Sequence, residues 1–287
     1  MTAPGAETLH VGIVGSGIMA AGVAEVAAAA GHTVVVRARK LAAAEAVAAR
    51  IAASLDKQVA KQRLSPDARD QIVAKVTVTD SLADLADTDL VIENIVEDLA
   101  VKRDLMAELG GLCRPATILA TNTSTLPVVD LAVASGRPDR VIGIHFFNPA
   151  PVMKLVEIVA PLTASQATVD AATAFATGCG KDAVAVADRA GFVVNALLFP
   201  YLNNAVRLWE HGTASIADID TAMQGGCGFP MGPFALLDLV GLDTSLSILE
   251  ALHAEFGDPN YAPVPTLRRK VAAGHLGRKS GQGFLTY

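Results

Sequence analysis

The sequence predicts a doubly wound, mostly parallel α/β sheet that is followed by an all-helical domain. Three observations carry this prediction. From Leu9 to Ala30, a short apolar run, a glycine-rich turn and an Ala-rich helical segment follow one another, and a β-branched strand comes next. Further apolar runs then alternate with helical segments, which is typical of parallel strands joined by right-handed crossovers. Beyond residue 188 only helical patterns remain, so we place the domains at 1–187 and 188–287.

Each element of the first domain follows from this alternation. The segments with the apolar, β-branched composition of buried strands are Leu9–Val14, Thr33–Arg37, Lys75–Thr79, Leu90–Glu93, Ile118–Thr121, Val141–His145 and Leu155–Val159. Helical segments separate them at Ala20–Ala30, Ala42–Leu64, a stretch that begins at Pro66, Ser81–Ala86, Leu99–Leu112, Leu126–Ala134 and Ser165–Thr177. Nearly continuous apolar strands indicate a sheet with both faces covered, as in Rossmann-like folds.

The second domain is predicted to contain helices and no strand. Its helical segments are Phe192–Gly212, Ile216–Met223, Ala235–Phe256 and Pro265–Ala273. The stretch Ala235–Leu252 is too apolar to lie wholly exposed on a monomer, so we expect a homodimer through this domain. The alternative is that these residues form the domain's own core. The Gly-rich end GRKSGQGFLTY is expected to run over the surface without regular structure.

Composition and charge exclude several classes of protein. The formal net charge of −6, without a basic stripe, gives no reason to expect a nucleic-acid partner. No apolar run approaches the roughly 18–20 residues that span a bilayer, and the N-terminal segment lacks the pattern of a secretory signal. Cys113, Cys179 and Cys227 are widely spaced, so neither a disulfide framework nor a metal site is expected. These features predict a cytoplasmic protein.

A glycine-rich turn with dinucleotide-binding spacing follows the first strand. Gly15, Gly17 and Ala20 form the pattern G-x-G-x-x-A. The first glycine permits the tight turn, the second lets a pyrophosphate approach the backbone, and the third small residue lets the helix pack on the strand. Ile18 and Met19 open that helix, whose N-terminal N–H groups bind phosphate. The complete strand–turn–helix–strand context favours a dinucleotide site over a tight turn without a ligand.

The end of the second strand is basic where dinucleotide-binding folds usually carry an acid. An Asp or Glu at this place accepts hydrogen bonds from the adenosine ribose. Here Arg37, Ala38, Arg39 and Lys40 follow Val36. Arginines clamp a phosphate dianion with charge-assisted hydrogen bonds, so the residues favour NADP over NAD. The alternative is a solvated basic strand end, and NAD then remains possible.

Among six histidines, only His145 ends an apolar strand on the carboxyl side of the sheet, where ligands bind in open α/β folds. A histidine there exchanges a proton near neutral pH. Asn122 and Ser124, from the TNTST segment that ends the preceding strand, should converge on the same crevice, and Asn122 is assigned to the cofactor. Glu157 on the next strand could orient the imidazole of His145. A serine hydrolase built on Ser124 is disfavoured because the chain has no GxSxG turn.

The chain also resembles a known family over essentially its whole length, in order and with consistent spacing. The segments that carry the resemblance are GSGIMA, IENIVED, TNTST, IHFFNPAPVM, Glu157, GFVVN, GFPMGP and GRKSGQGF. They resemble the short-chain L-3-hydroxyacyl-CoA dehydrogenases, and most closely the bacterial 3-hydroxybutyryl-CoA dehydrogenases of that family. HFFNPAP and the GRKSG tail together are highly specific for it.

The resemblance implies roles for individual residues. His145 is implied to be the proton acceptor in oxidation and the donor in reduction, with Glu157 as its partner. Ser124 is implied to contact the substrate hydroxyl or carbonyl, and Asn195 to bind the thioester carbonyl. Glu97, Lys102 and Asn148 match positions that, in the family, contact the nicotinamide half of the cofactor. Ser54, Lys57 and Lys61 match positions on the helix that meets CoA, and the alternative for the two lysines is a solvated helix face.

The implied activity is interconversion of (S)-3-hydroxybutyryl-CoA, or a similar short 3-hydroxyacyl-CoA, and acetoacetyl-CoA, in a cleft between the domains. The chain departs from the family pattern at Ala38, which replaces the usual acid, at Ala20, and at Ala196, which replaces an Arg. Two alternatives stay open. One is an NAD-dependent dehydrogenase of β-oxidation that acts on longer chains. The other is a non-catalytic structural or dinucleotide-binding protein of the kind found among lens crystallins, although the intact set of four catalytic positions disfavours it.

Overall fold

The computed structural model describes residues 8–287, which form two compact units. The first unit ends at Asp188 and the second runs from Arg189 to Tyr287. Each unit has its own buried hydrophobic core. The division lies beside the point in the sequence where the alternation of strands and helices stops.

The first unit is built on one eight-stranded sheet in the order β3-β2-β1-β4-β5-β6-β7-β8. Its strands are β1 (His10–Val14), β2 (Thr33–Arg37), β3 (Val76–Thr79), β4 (Leu90–Glu93), β5 (Ile118–Thr121), β6 (Val141–Phe146), β7 (Leu155–Ala160) and β8 (Asp182–Ala187). All neighbouring strands are parallel except β6 and β7. The strand order reverses between β1 and β4, and ligands bind at such switch points in open α/β sheets. The predicted Rossmann-like fold is confirmed.

The described part of this unit contains six α-helices, and three of them begin at a residue whose side chain caps the helix. The six are α1 (Ile18–Ala29), α2 (Leu41–Ala60), α3 (Pro66–Val73), α4 (Leu99–Leu112), α5 (Val128–Ala134) and α6 (Gln166–Gly178). The side chains of Ser65, Asp98 and Ser165 accept hydrogen bonds from the backbone N–H groups of the first turns of α3, α4 and α6. Such caps satisfy N–H groups that have no partner inside the helix. The Ala-rich face of α1 is buried, so this helix packs closely on the sheet.

Three elements of the first unit differ from the sequence prediction. Strand β8 was missed; its sequence DAVAVA is a short run of Ala and Val at the edge of the sheet, where the side chains are exposed or half-buried. The helix predicted at Ala42–Leu64 is α2, which ends at Ala60, and Gln62 then adopts a positive φ of 56°. The segment Ser81–Ala86 forms only a single 3₁₀ turn.

The second unit is helical. Its helices are α7 (Val194–Glu210), α8 (Ile216–Cys227), α9 (Pro233–Val240), α10 (Leu242–Phe256) and α11 (Pro265–Ala272). The prediction of a single helix over Ala235–Phe256 is wrong, because Gly241, with φ of 103°, separates α9 from α10. Leu242, Leu249 and Leu252 lie in the core of the unit, which supports the alternative reading of that apolar stretch. Within residues 8–287, no helix is long and apolar enough to cross a membrane.

The C-terminal tail packs into the core of the second unit, against the expectation of a surface segment. Phe284 is buried, and its ring centroid lies 5.0 Å from that of Phe234. The buried carboxylate of Asp238 accepts hydrogen bonds of 2.8 Å from the backbone N–H groups of Phe284 and Leu285. The glycines of the tail permit this approach, since a Cβ at Gly283 would collide with the Asp238 carboxylate.

Candidate active site

The glycine turn after β1 has the shape that a dinucleotide phosphate requires. Gly15 has φ of 145°, and a Cβ there would collide with the carbonyl oxygen of Asn94. Gly17 is the N-cap of α1, which has no side-chain cap, and a Cβ there would meet no atom within 4 Å. Ala20 is fully buried against the sheet, whereas Ile18 is 70% exposed beside the turn. The N-terminus of α1 thus has no capping side chain and is open around Gly17, as expected of a helix end that binds a phosphate.

A cleft of about 640 Å³ lies beside this turn and the end of β2. Its volume is in the range of small-molecule sites. Both predicted arginines line it: Arg37 donates a hydrogen bond from Nε to the Asp80 carbonyl at 3.3 Å, and Arg39 is exposed. The opposite wall, on α4, carries Asp104 and Glu108. The sequence did not single out these two acids, because nothing in their spacing along α4 shows that they face β2.

His145 and Glu157 form a buried pair on adjacent strands. They are directly opposite each other in the antiparallel pairing of β6 with β7. His145 Nδ1 lies 2.7 Å from Glu157 Oε2, and the two residues are 4% and 1% exposed. The ring of Phe147 packs beside the imidazole, with centroids 4.6 Å apart. The contact with Glu157 fixes the orientation of the imidazole, with Nδ1 toward the carboxylate and Nε2 on the other side of the ring.

The TNTST segment after β5 is held by side chains from its neighbours. Asn122 accepts a hydrogen bond from the backbone N–H of Phe146 at 2.7 Å and donates one to Asn94 at 2.9 Å. Its side chain therefore connects the ends of β4, β5 and β6. Glu97 accepts hydrogen bonds from the Thr123 hydroxyl and from the Ser124 backbone N–H, the latter at 2.8 Å. Ser124 is thereby placed at the carboxyl end of the parallel strands.

Lys102 lies in a buried ion cluster. It is 1% exposed, and its ammonium lies 2.7 Å from Glu93 and 3.1 Å from Glu97. The predicted cofactor residues Lys102 and Glu97 are thus directly paired. Glu93 was not among the predicted site residues, although a carboxylate that ends the apolar run LVIE was a visible signal. A charge at the end of a fully buried strand needs a partner.

The predicted CoA residues line a second cleft, of about 510 Å³, between α1, α2 and the segment after β6. Ser54, Lys57 and Lys61 line it, and so does Asn148, which the sequence had assigned to the cofactor and which does not line the cleft beside the glycine turn. The sequence reading missed the residues that complete the lining, among which the charged ones are Arg50, Arg63 and Glu25. The signal for the two arginines was visible, since they continue the basic face of α2 and the turn that follows it.

Glu25 and Arg50 shape this second cleft in different ways. Glu25 is buried, and burial raises its pKa above the usual value, an effect that hydrogen bonds from Ser54 and Gln58 oppose. The Gln58 amide donates to it at 3.0 Å. Arg50 donates from Nη1 to the carbonyl oxygen of Ser16 at 2.6 Å, so the α2 face that lines this cleft also supports the glycine turn.

Asn195 belongs to the second unit. It lies in the first turn of α7 and is 7% exposed, and Ala196 follows it. Gly191 precedes this helix with φ of 73°, and a Cβ at Gly191 would lie 2.7 Å from a methyl carbon of Leu252. The GFVVN segment thus requires glycine for its own backbone path. Within residues 8–287, no group of His, Cys, Asp and Glu side chains is placed to hold a metal ion.

Comparison with known proteins identifies the family of both units. The model of the 3-hydroxyacyl-CoA dehydrogenase NAD-binding domain matches residues 10–189, and that of the 3-hydroxyacyl-CoA dehydrogenase C-terminal domain matches residues 191–287.

Individual relatives and solved structures match over nearly the whole chain. A 3-hydroxybutyryl-CoA dehydrogenase of Mycobacterium tuberculosis is 47% identical over 97% of this chain and 98% of its own length. Mitochondrial hydroxyacyl-coenzyme A dehydrogenase of Sus scrofa is 44% identical over 97% of this chain and 91% of its own.

Two solved structures have similar folds. FadB2 of M. tuberculosis matches with a TM-score of 0.96 and 46% identity, over 98% of this chain and 100% of that one. The (S)-3-hydroxybutyryl-CoA dehydrogenase PaaH1 of Ralstonia eutropha matches with a TM-score of 0.95 and 40% identity, over 98% and 99% of the two chains. Because both family models and these relatives match nearly the whole chain, the chain belongs to the 3-hydroxyacyl-CoA dehydrogenase family.

Proposed function

We propose that this chain is an oxidoreductase that interconverts (S)-3-hydroxybutyryl-CoA, or a similar short 3-hydroxyacyl-CoA, and the corresponding 3-ketoacyl-CoA. The observation that carries the proposal is the buried His145–Glu157 pair, with 2.7 Å between Nδ1 and Oε2, on the sheet that also carries the glycine turn. The substrate class is supported by the names of the M. tuberculosis and R. eutropha relatives.

His145 is the acid and base of the proposed reaction. Its Nδ1 proton is held by Glu157, so Nε2 is the atom that accepts a proton from the 3-hydroxyl in oxidation and returns it in reduction. The Glu157 carboxylate stabilises the imidazolium that forms when Nε2 is protonated. When bound, the nicotinamide dinucleotide receives the hydride from substrate C3 or supplies it.

Two further residues hold the substrate in this proposal. The Ser124 hydroxyl contacts the 3-oxygen, and its support is the anchoring of the Ser124 N–H by Glu97 at the carboxyl end of β5. Asn195 binds the thioester carbonyl, and its support is the family resemblance of the GFVVN segment alone. Together they would fix two oxygens of the substrate, which aligns C3 for hydride transfer.

The CoA moiety is assigned to the second cleft. Lys57 and Lys61 lie on one face of α2, four residues apart, and Ser54 lines the cleft with them. Arg50 and Arg63 add two positive charges to the same lining. Ammonium and guanidinium groups bind phosphate oxygens through charge-assisted hydrogen bonds, and CoA is rich in phosphate.

We assign NADP as the preferred dinucleotide, with NAD as the alternative. Ala38 is buried at the position of the usual acid, and Arg37 and Arg39 line the cleft that would hold the adenosine half. The carboxylates of Asp104 and Glu108 on the opposite wall would repel a 2′-phosphate. The cofactor preference therefore depends on the balance between these two acids and the two arginines. The double variant Arg37→Ala with Arg39→Ala should raise KM for NADPH much more than KM for NADH. Equal changes for both cofactors would overturn the assignment.

The experiment that tests the function is reduction of acetoacetyl-CoA by the purified full chain, with NADPH and NADH compared side by side. The proposal expects turnover with acetoacetyl-CoA, and a lower kcat/KM for 3-ketoacyl-CoA substrates of longer chain length. Absence of turnover with both cofactors would overturn the proposed activity. A preference for the longest chains would favour the alternative of a β-oxidation dehydrogenase.

The proposal also includes a cytoplasmic location and a homodimer through the second unit. Several large apolar side chains of that unit are well exposed, among them Leu197 at 72%, Phe229 at 42% and Leu239 at 49%. Burial of such side chains against a second copy would be favourable. Size-exclusion chromatography with light scattering should show a dimer, and a monomer at micromolar concentration would overturn this part.

A further inference from the structure

Glu93 is a fully buried carboxylate at the end of β4, beside the switch point of the sheet. Its Oε1 accepts hydrogen bonds from the Lys102 ammonium at 2.7 Å and from the Ile95 backbone N–H at 2.6 Å. Its Oε2 accepts one from the Thr121 hydroxyl at 2.8 Å. A buried carboxylate with this many donors is held in one position, because each donor satisfies a lone pair that water would otherwise solvate.

One route from Glu93 to the TNTST segment passes through ions. The Lys102 ammonium lies between Glu93 Oε1 and Glu97 Oε2, at 2.7 and 3.1 Å. The other oxygen of Glu97 accepts the N–H of Ser124 at 2.8 Å and the hydroxyl of Thr123. The position of the Ser124 backbone therefore depends on where Lys102 holds Glu97.

A second route passes through hydroxyl groups. The Thr121 hydroxyl, which donates to Glu93, also accepts a hydrogen bond from the backbone N–H of Thr123 at 3.2 Å. The Thr123 hydroxyl in turn accepts the backbone N–H of Leu126 at 3.0 Å. Both routes start at Glu93; the first ends on the Ser124 N–H and the Thr123 hydroxyl, and the second reaches the backbone of the neighbouring Thr123.

The negative charge of Glu93 determines how the Lys102 ammonium is shared between Glu93 and Glu97. With Glu93 ionised, Lys102 is shared between two carboxylates, and Glu97 is left to hold the Ser124 N–H. Without that charge, Glu97 becomes the only carboxylate in contact with a buried ammonium. The stronger attraction would draw Glu97 toward Lys102 and away from Ser124, since an unpaired buried charge is costly.

We propose that Glu93 is a positioning residue that sets the location of the Ser124 hydroxyl relative to the 3-oxygen of the substrate through Lys102–Glu97 and through Thr121. The inference rests on the proposed function, in which Ser124 contacts that oxygen. Glu93 itself touches neither substrate nor reacting atoms, and its effect on catalysis runs through Ser124.

A double-mutant cycle between Glu93→Gln and Ser124→Ala tests this, with acetoacetyl-CoA reduction as the assay. In the wild-type background, Glu93→Gln should lower kcat roughly 10- to 100-fold, because remote misplacement of about 1 Å costs about that much. In the Ser124→Ala background, the same change should lower kcat less than about threefold, since residues that act through one another are not additive. Equal losses in both backgrounds would overturn the inference.

A second measurement needs neither cofactor nor substrate. Amide hydrogen exchange of the peptide that contains TNTST should be faster in Glu93→Gln than in the wild type, because the Ser124 and Thr123 N–H groups lose their fixed acceptors. Unchanged exchange would overturn the inference. The matched control is Asp238→Asn, which alters a buried carboxylate of the second unit and should change neither TNTST exchange nor kcat at a temperature where the chain is folded.

The test must also allow for a Glu93→Gln variant that does not fold and for a wild-type chain without turnover. If Glu93→Gln does not fold, Thr121→Val cuts only the hydroxyl route and should also show a smaller kcat loss in the Ser124→Ala background than in the wild type. An additive loss in that variant would overturn the inference. A wild-type chain without turnover overturns the proposed function, whereas an active wild type with additive variants overturns the positioning role alone.

Discussion

In the first unit, two fully buried carboxylates bond to other side chains, whereas in the second unit the buried Asp238 bonds to the backbone. Glu93 contacts Lys102 and Thr121 at the end of β4, and Glu157 contacts His145 across β6 and β7. These contacts lie at or beside the carboxyl edge of the parallel strands, where ligands bind in open α/β folds.

In the second unit, the buried polar side chains hold the path of the chain. Asp238 accepts the backbone N–H groups of Phe284 and Leu285, and Asn203 bonds to the carbonyl of Ala262 at 2.9 Å and the N–H of Val264 at 3.0 Å. Backbone contacts of this kind fix loops and tails. The comparison shows that the fully buried carboxylates with charged or hydroxyl partners lie in the region of the proposed chemistry, whereas Asp238, which accepts backbone N–H groups, fixes the path of the C-terminal tail.

The sharpest test of this contrast is His145→Gln. The substitution removes the group that exchanges the proton but keeps the approximate size of the side chain, so kcat should fall by about 10²–10⁴-fold, the usual contribution of a general acid or base. Dinucleotide binding, followed by fluorescence titration, should be retained, because the glycine turn is untouched. An unchanged kcat would remove His145 from the proposed mechanism.

Glu157→Gln should have the next largest effect on activity. The charge-assisted hydrogen bond to His145 Nδ1 contributes about 1.5–3 kcal/mol, which corresponds to a loss in kcat of about 10- to 100-fold. The imidazolium loses its counter-charge, so the pH profile of kcat should shift as well. Normal kcat together with a normal pH profile would count against the pairing role.

Asp238→Asn should lower the free energy of unfolding and leave kcat unchanged. The amide NH₂ of asparagine would face a backbone N–H donor in place of an acceptor, and one unsatisfied buried donor costs about 1–3 kcal/mol. Urea unfolding measures the loss, and kcat at a temperature where the variant is folded should match the wild type. Asp182→Asn, at an exposed carboxylate of β8, is the control and should change the unfolding free energy by less than about 0.5 kcal/mol. A large fall in kcat for Asp238→Asn would contradict the contrast between the units.

Glu25→Gln should have the smallest effect, and its sign should depend on pH. Burial raises the pKa of Glu25, so the folded chain binds this proton more tightly than the unfolded chain does. The free energy of unfolding therefore falls as pH rises from the ordinary carboxyl pKa through the raised value. The variant removes this slope, and its stability relative to the wild type should be more favourable at about pH 8 than at about pH 4. Urea midpoints that differ equally at both pH values would show that Glu25 is not desolvated.

Much of the fold and part of the site could be predicted from local patterns. The glycine turn, the strand ends at Arg37 and His145, and the basic face of α2 follow from spacing along one or two elements. Strand β8 was not predicted, although the run of Ala and Val that follows Asp182 was a visible signal for a short strand. The break at Gly241 was hidden in an apolar run, since one glycine within a helical pattern is often tolerated.

The remaining site residues lie outside the reach of such patterns. Asp104 and Glu108 belong to α4 but line the cleft beside β2, and Arg50 of α2 bonds to the glycine turn. These contacts join elements that are distant in the chain. A sequence shows which side chains are present on a helix face but not which strand end that face meets.

The sequence by itself determined most of the order of elements, the glycine turn and the histidine at a strand end, because backbone conformation and hydrophobic periodicity are local properties. The sequence suggested the partnership of His145 and Glu157, and the strand register established it. Only the tertiary structure decided that Glu93 bonds to Lys102 and Thr121 and that the tail docks on Asp238. These contacts depend on strand register and on the packing of distant elements. A shift of a single residue in register would turn each side chain to the opposite face of the sheet.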